Sequence, residues 1–544
     1  MKSVGLDSKE LSKKREVLTV RLRKQKRYTN LLTKRLSSKT NGEDEFDIDE
    51  SECDVISDTM HEEMPSSSVQ TPPRRGLTPQ QLNHIQRYKE VLVNSAPYEL
   101  RLEAIIYFRK LVASDKVPPI AAIVDQGLLE LLLPFFLNFN EPEVQFEIAW
   151  IVTNVACDYS HSLVKFNANG GYIPVLMNVL LTATCEKVRD QVYWAIANMS
   201  AESDSCRDFF LANNLSESMS WLLNMGSYNG QVRTITPTLA TMKYSALICF
   251  NLVKDNTFID SGLARLIVNI LAILAQSPDY QDYLHIVCLA IQSLCEISAD
   301  GIRMLFEKGL PKTLRDIYDS KKIKENSTRD LLVHTLATFI VHCNNRLYLR
   351  VLLSDKFNNL VTIFTRELNG MNIPNSGSVI IESTAICIIK AFNRLSIVDS
   401  KYTTRLIKEG VILALMSVIY NKDDYELRRY AGEYLSTIIL SLIPNGNFLK
   451  LFLLKYSHFY RFYIDIRALT AAPNIAQIYE LLVSYDLYDE SVLFSILSAL
   501  KYMVTHSDNK NIFQLLYIKL DVYLNHNNIA ISTIANDIQD SMHT

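Results

Sequence analysis

From about residue 80 onward the chain falls into helical segments, apolar runs broken at regular places. The breaks read Gln126-Gly127-Leu128, Gly170-Gly171-Tyr172, Asn213-Asn214-Leu215, Ser261-Gly262-Leu263, Lys308-Gly309-Leu310 and Glu409-Gly410-Val411. The first three fall 43 or 44 residues apart, and the next two steps are 48 and 47. A position near Ser354-Asp355 fills the longer gap before Gly410. Each unit keeps one order. A turn comes first, then an apolar helix such as Leu128–Phe136. A polar break such as Asn138–Pro142 follows, and then a longer helix such as Val144–Ala156. Glycine and proline number only 16 each, which favours helices over strands and tight turns.

A period of 40–47 residues with two or three helices per unit is the signature of armadillo and HEAT solenoids. No unit can bury its apolar stripe alone, so the units must stack. Roughly nine or ten units fit between residue 80 and the end of the chain. Stacking leaves a long concave groove lined by one helix of every unit.

Two positions of the longer helix stand out. Ala149-Trp150-Ile151-Val152-Thr153-Asn154 recurs as Tyr193-Trp194-Ala195-Ile196-Ala197-Asn198, with both Trp and both Asn 44 residues apart. The i, i+4 spacing puts each Trp–Asn pair on one helix face. Asn is a poor helix former and an apolar face does not need it, so a repeated pair points to an exposed, functional surface. An extended peptide advances about 3.3 Å per residue, and neighbouring helices lie roughly 8–10 Å apart. Successive units thus meet every second or third peptide residue. Asn can hold peptide backbone groups, and a Trp face can receive a Lys or Arg stem, worth about 0.5–2 kcal/mol. Trp221 has no Asn at i+4 and reads as core.

Charge changes the picture at the front of the chain. Residues 1–40 hold thirteen Lys or Arg against three Asp or Glu, and residues 41–64 hold eleven Asp or Glu and no Lys or Arg. With a formal charge of −3 overall, the arm contributes 13 − 3 = +10 and everything after it −3 − 10 = −13. Such an arm cannot enter the core unpaired and is built to be held by a partner. Asp7 or Ser8 caps its helix, and Glu10 can close a capping box. Leu11, Leu18 and Leu22 give one apolar face. A helix of this kind can bind nucleic acid, a membrane surface or an acidic protein groove. The acidic remainder of the chain argues against nucleic acid, and the lack of Trp and Phe on the apolar face argues against membrane. Nine scattered Cys, without a C-x-x-C pair or a Cys/His cluster, fit a reducing compartment and argue against a zinc site. No secretory signal or bilayer-spanning run is visible. No phosphate loop, nucleophile motif or metal-spaced cluster appears, so neither enzymatic activity nor a cofactor or metal is expected.

These pieces together resemble the importin-α family. Residues 6–34 resemble its importin-β-binding segment, with the core Val20-Arg21-Leu22-Arg23-Lys24-Gln25-Lys26-Arg27. The resemblance implies importin-β contacts from Lys13, Lys14, Arg15, Arg21, Arg23, Lys24, Lys26 and Arg27. It implies a cargo groove at Trp150, Asn154, Gln191, Trp194, Asn198, Glu202 and Asn251, where Glu202 faces the key Lys of a basic nuclear localisation signal. Lys34 and Arg35 lie where the family carries an autoinhibitory, cargo-like pair. Pro72-Pro73-Arg74-Arg75-Gly76 is another small basic cluster, read as linker. The implied partners are importin-β, a basic-signal cargo protein and, at the C-terminal units, an export receptor for which no motif is found here. The implied location is cytoplasm and nucleus, by shuttling.

The departures narrow that reading. Leu247 stands four residues before Asn251 where a Trp belongs, and neither member of the pair survives around residues 293–297. Asn393 follows Ile389, and Tyr434 pairs with Ile438. Near Asn154, Asp158 and Leu163 stand where the family has Gly and Thr. The expected fold is therefore an all-α, right-handed armadillo-repeat superhelical solenoid with an N-terminal basic helical arm. The arm occupies residues 1–40, an acidic linker 41–80 and the solenoid 81–544, degenerate toward its end. The expected role is a nuclear import adaptor of narrow cargo range. The alternative is an armadillo scaffold dedicated to one folded partner outside classical import.

Overall fold

The computed structural model describes residues 77–94, 96–113, 120–158, 172–201, 204–225, 227–228, 231–232, 236–254, 259–352, 360–371, 380–421, 424–441, 490–506 and 516–543. The basic arm, nearly all of the acidic linker and the cluster Pro72–Gly76 lie outside these residues. So does the break expected near Ser354-Asp355. The chain divides into two units, Met1–Thr257 and Phe258–Thr544.

Among the described residues the fold is helical, with the order the repeat predicts. The helix Leu128–Phe136 begins and ends where expected, and the longer helix after it runs Pro142–Asp158. Four of the turn markers are left-handed backbone positions directly before a helix: Gly127, Asn214, Gly309 and Gly410, with φ of 76°, 63°, 71° and 86°. Gly and Asn recur there because other L-residues are strained at such φ. Ser261-Gly262 differs. Asp260 caps that helix by accepting from the Leu263 N–H at 2.8 Å, and Gly262 sits in the first helical turn. Among the described residues the strands are a two-residue antiparallel pair, Ser227 opposite Val232 and Tyr228 opposite Gln231. The first described helix starts at Pro79, two residues before the expected boundary, on a capping box between Thr78 and Gln81.

In the first unit the longer helices are α1 (Tyr98–Ala113), α2 (Pro142–Asp158), α3 (Glu186–Ser200) and α4 (Leu239–Val253). Each packs on the next. In the second unit α5 (Leu284–Ile297), α6 (Asn326–His342), α7 (Glu382–Val398), α8 (Tyr425–Ser441) and α9 (Glu490–His506) do the same. Phe108, Phe136, Tyr172, Tyr193 and Phe250 are fully buried in the first unit, and Phe339, Phe364, Phe392 and Tyr434 in the second. These rings, from both the long helices and the shorter ones beside them, form the core that holds the long helices in file.

Polar groups fix the register of the stack. Near the start of a long helix, a side chain donates back to a carbonyl ending the helix before it. Gln145 does so to Phe136 at 2.9 Å, and Arg428 to Ile419 at 3.1 Å. These bonds satisfy carbonyls that a helix end leaves open. Between long helices, Asp190 of α3 accepts from the hydroxyls of Thr238 and Thr241 at the start of α4, at 2.9 and 3.0 Å. Asp330 of α6 accepts from the Ile381 N–H at the start of α7, at 3.1 Å.

Candidate functional site

The structure brings six of the seven expected groove residues onto adjacent long helices. Trp150 and Asn154 lie on α2, Gln191, Trp194 and Asn198 on α3, and Asn251 on α4. Glu202 lies outside the described residues, as do Lys13, Lys14, Arg15, Arg21, Arg23, Lys24, Lys26, Arg27, Lys34, Arg35 and Leu163. Because α2 packs on α3 and α3 on α4, residues 44 apart in sequence become neighbours one helix away.

Within each pair the indole is the more accessible member. Trp150 and Trp194 are half-buried, whereas Asn154 and Asn198 are only 6% and 2% exposed. The repeated Asn thus does not mark the exposed surface its spacing predicted. Trp194 lies flat on Tyr244 of α4, with ring centroids 5.7 Å apart and planes at 11°. Trp150 meets the edge of Phe146 at 5.8 Å and carries the Arg109 guanidinium over its ring at 4.6 Å.

Two amides have specific work. Gln191 donates from Nε2 to the Thr153 hydroxyl at 2.8 Å, and that hydroxyl donates to the Ala149 carbonyl at 2.8 Å. This bond ties α3 to α2 one turn below the Trp150 indole. Asn251 has no exposed surface. Its Nδ2 donates to the Ala197 carbonyl at 2.9 Å and to the Ser200 hydroxyl at 3.1 Å, closing the last turn of α3. The same asparagine that looked like a peptide ligand in the sequence binds the preceding repeat in the structure.

Arg109, Glu147, Thr153 and Tyr244 complete this region, and the repeat pattern did not single them out. Tyr244 had a signal: it is the aromatic one turn before Leu247, the position that lacks the expected Trp. Arg109 and Glu147 had none, because they are meaningful only once α1 lies against α2. Trp221, read as core, is half-buried on the helix Leu215–Leu222.

The second unit is built differently at the matching helices. Lys390 of α7 is exposed, with its Nζ 4.5 Å from the Tyr430 ring of α8, and Arg429 lies 4.3 Å from the same ring. Arg394 donates to the Asn344 side chain at 2.6 Å. Burial pushes the Cys387 thiol up to about 11 and the Cys288 thiol up to about 12. Among the described residues no helix is long and apolar enough to cross a membrane, and no three His, Cys, Asp or Glu could hold a metal ion.

The described helices define an armadillo-repeat fold. A family model described as importin beta binding domain matches residues 1–73. Importin subunit alpha-1b of Oryza sativa subsp. japonica is 30% identical over 219 residues, which is 40% of this chain and 38% of that protein. Importin subunit alpha-2 of Arabidopsis thaliana is 33% identical over 141 residues, 26% of each chain. These matches span about two fifths or less of the curated relatives' length. A solved engineered protein shares the fold at a TM-score of 0.56 and 16% identity, over 85% of this chain and 99% of its own. The chain is thus similar to importin-α proteins over part of its length.

Proposed function

We propose that this protein is a nuclear import adaptor. Its N-terminal segment, residues 7–35, is held by importin-β, and the face carrying Trp150 and Trp194 reads a basic nuclear localisation signal. The observation that carries this reading is the pairing of two features in one chain. An importin-beta-binding match occupies residues 1–73, and Trp–Asn pairs stand in register on two adjacent long helices. The half-buried indoles supply faces for Lys or Arg stems, and the adaptor does no chemistry of its own.

The cargo range is narrow. Asn251 is spent on the end of α3, and the second unit carries no Trp at all, since the chain's three are Trp150, Trp194 and Trp221. A monopartite signal read by the first unit fits this arrangement better than a bipartite one. Shuttling between cytoplasm and nucleus follows from the adaptor role.

The test is a pull-down with purified importin-β, using the full chain and the chain lacking residues 1–40. Retention by the full chain alone supports the reading. Equal retention of both removes the arm from it. The same losses in the second unit favour a scaffold for one folded partner as the second reading. A stable co-purifying protein, with no basic peptide bound to the groove, would support that reading instead.

A further inference from the structure

We propose that Arg109 is the positioning residue for the Trp150 indole, and that its removal weakens basic-peptide binding through Trp150 alone. The proposal rests on the peptide-groove reading above.

Arg109 stands on α1, one repeat ahead of Trp150, and is 9% exposed. Its Nε donates to the Glu147 carboxylate at 2.7 Å. Its guanidinium carbon sits 4.6 Å from the centre of the Trp150 ring. Glu147 precedes Trp150 by three residues on α2, so carboxylate and indole lie on one face of that helix. One guanidinium therefore has two anchors on α2. The carboxylate fixes where the plane of the cation lies, and the cation covers one face of the indole. A planar, delocalised cation suits both contacts, whereas an ammonium can hold the charge but cannot stack. The pair is nearly buried, so removing Arg109 leaves a carboxylate with no counter-ion in a poorly hydrated place.

The consequence for binding is preorganisation. A half-buried indole with a choice of rotamers must be ordered when a peptide arrives, and that ordering opposes affinity. Arg109 orders it beforehand. It also dictates the side of approach, because a cargo stem can reach Trp150 only across the face opposite Arg109. Trp194 is set by a neutral ring, Tyr244, through a different helix pair. The two indoles are therefore held by independent devices, and disturbing one should spare the other.

The probe is a labelled synthetic peptide of five consecutive Lys or Arg residues, titrated against the full chain by fluorescence anisotropy. Arg109→Ala should weaken it about tenfold, and Trp150→Ala by a similar factor. The double variant should be no weaker than either, a coupling of about 1.4 kcal/mol. Arg109→Lys, which keeps the charge, should recover part of the loss. If Arg109→Ala weakens binding equally with and without the indole, its role is structural only and the proposal is overturned.

A second readout separates this proposal from the reading beneath it. In a background of Trp194→Phe and Trp221→Phe, only Trp150 emits. Arg109→Ala should shift its emission and lower its anisotropy while the far-ultraviolet dichroism stays unchanged. Should the wild-type chain bind no basic peptide, the groove reading fails. In that case an emission unmoved by Arg109→Ala would overturn the positioning as well, and a shifted one would uphold it.

Discussion

The long helices of the two units face the same packing task and meet it with different surface chemistry. In the first unit α2 and α3 present half-buried indoles over amides, and neighbouring residues hold those rings in place. In the second unit the chain's own cations lie against its aromatic rings. Lys390 and Arg429 cover Tyr430, and Arg329 and Arg366 approach Tyr318 at 5.5 and 5.8 Å. Tyr430 and Tyr318 each face two cations of their own chain, whereas Trp150 carries Arg109 on one face, so the second-unit rings gain less from a ligand's cation. The contrast teaches that one repeat scaffold can be tuned toward binding or toward self-attachment by a few surface side chains. The long helix beneath them does not change.

The sharpest way to break this comparison is to strip each face and measure the same basic peptide. Trp194→Ala with Asn198→Ala removes a stacking face and an amide, and should weaken binding by about 100-fold. Lys390→Ala with Tyr430→Ala, in the second unit, should change it less than about twofold, within the scatter of a surface change. Isothermal titration of the two double variants against wild type decides the point. Equal losses from both would mean that the second unit reads the peptide as well.

A smaller effect should separate attachment from binding. Glu367 is 1% exposed and accepts from Arg329 at 3.1 Å and from the Tyr318 hydroxyl. It joins the helix Leu360–Gly370 to the end of Leu310–Asp319 and the start of α6. Breaking a buried ion pair from one side costs about 3 kcal/mol, because the partners lose their counter-charge. Glu367→Ala should therefore lower the stability of the second unit by about that amount in urea titration and leave the affinity for the basic peptide unchanged. A drop in affinity with little loss of stability would reverse the roles assigned to the two units.

Much of this architecture was legible in the sequence. The positive-φ residues Gly127, Asn214, Gly309 and Gly410 announce themselves, because few residue types tolerate that backbone. The helix Leu128–Phe136 and the polar break after it follow from the alternation of apolar and turn residues. The Trp–Asn register is visible because it repeats. What stayed hidden depends on contacts across helices. Asn251 falls at the repeat position of Asn198, although Leu247 replaces the Trp at i−4, and its amide closes α3. No one-dimensional pattern distinguishes an amide turned to a ligand from one turned to the previous repeat. Arg109 and Glu147 are two more charges on amphipathic helices until α1 and α2 come together. The balance of charge was also misplaced when assigned to the body as a whole. Of the −13 after residue 40, −11 falls in residues 41–64, which leaves −13 + 11 = −2 for residues 65–544.

The smallest expected effect concerns pH and again falls on the second unit. Asp330 is 6% exposed on α6, and burial pushes its carboxyl up to about 6, against the opposing bonds from Thr384 and the Ile381 N–H. Glu367 and Glu382 push the same way. A carboxyl whose folded pKa exceeds its unfolded value of about 3.9 favours the folded state when protonated. Its contribution is complete below the unfolded pKa and is lost as pH rises through about 6. The charged form is then a burden at neutral pH, of about 3 kcal/mol for a rise of about two pKa units. Asp330→Asn keeps an acceptor for the Ile381 N–H and cannot ionise. It should match wild type near pH 4 and exceed it progressively up to pH 7, by at most about 3 kcal/mol. Asp190 in the first unit is raised by burial too, but two hydroxyls oppose the rise. Asp190→Asn should therefore show a shallower pH difference than Asp330→Asn in paired denaturation series. A steeper slope for Asp190→Asn would show that the hydroxyls at the start of α4 do not relieve its charge.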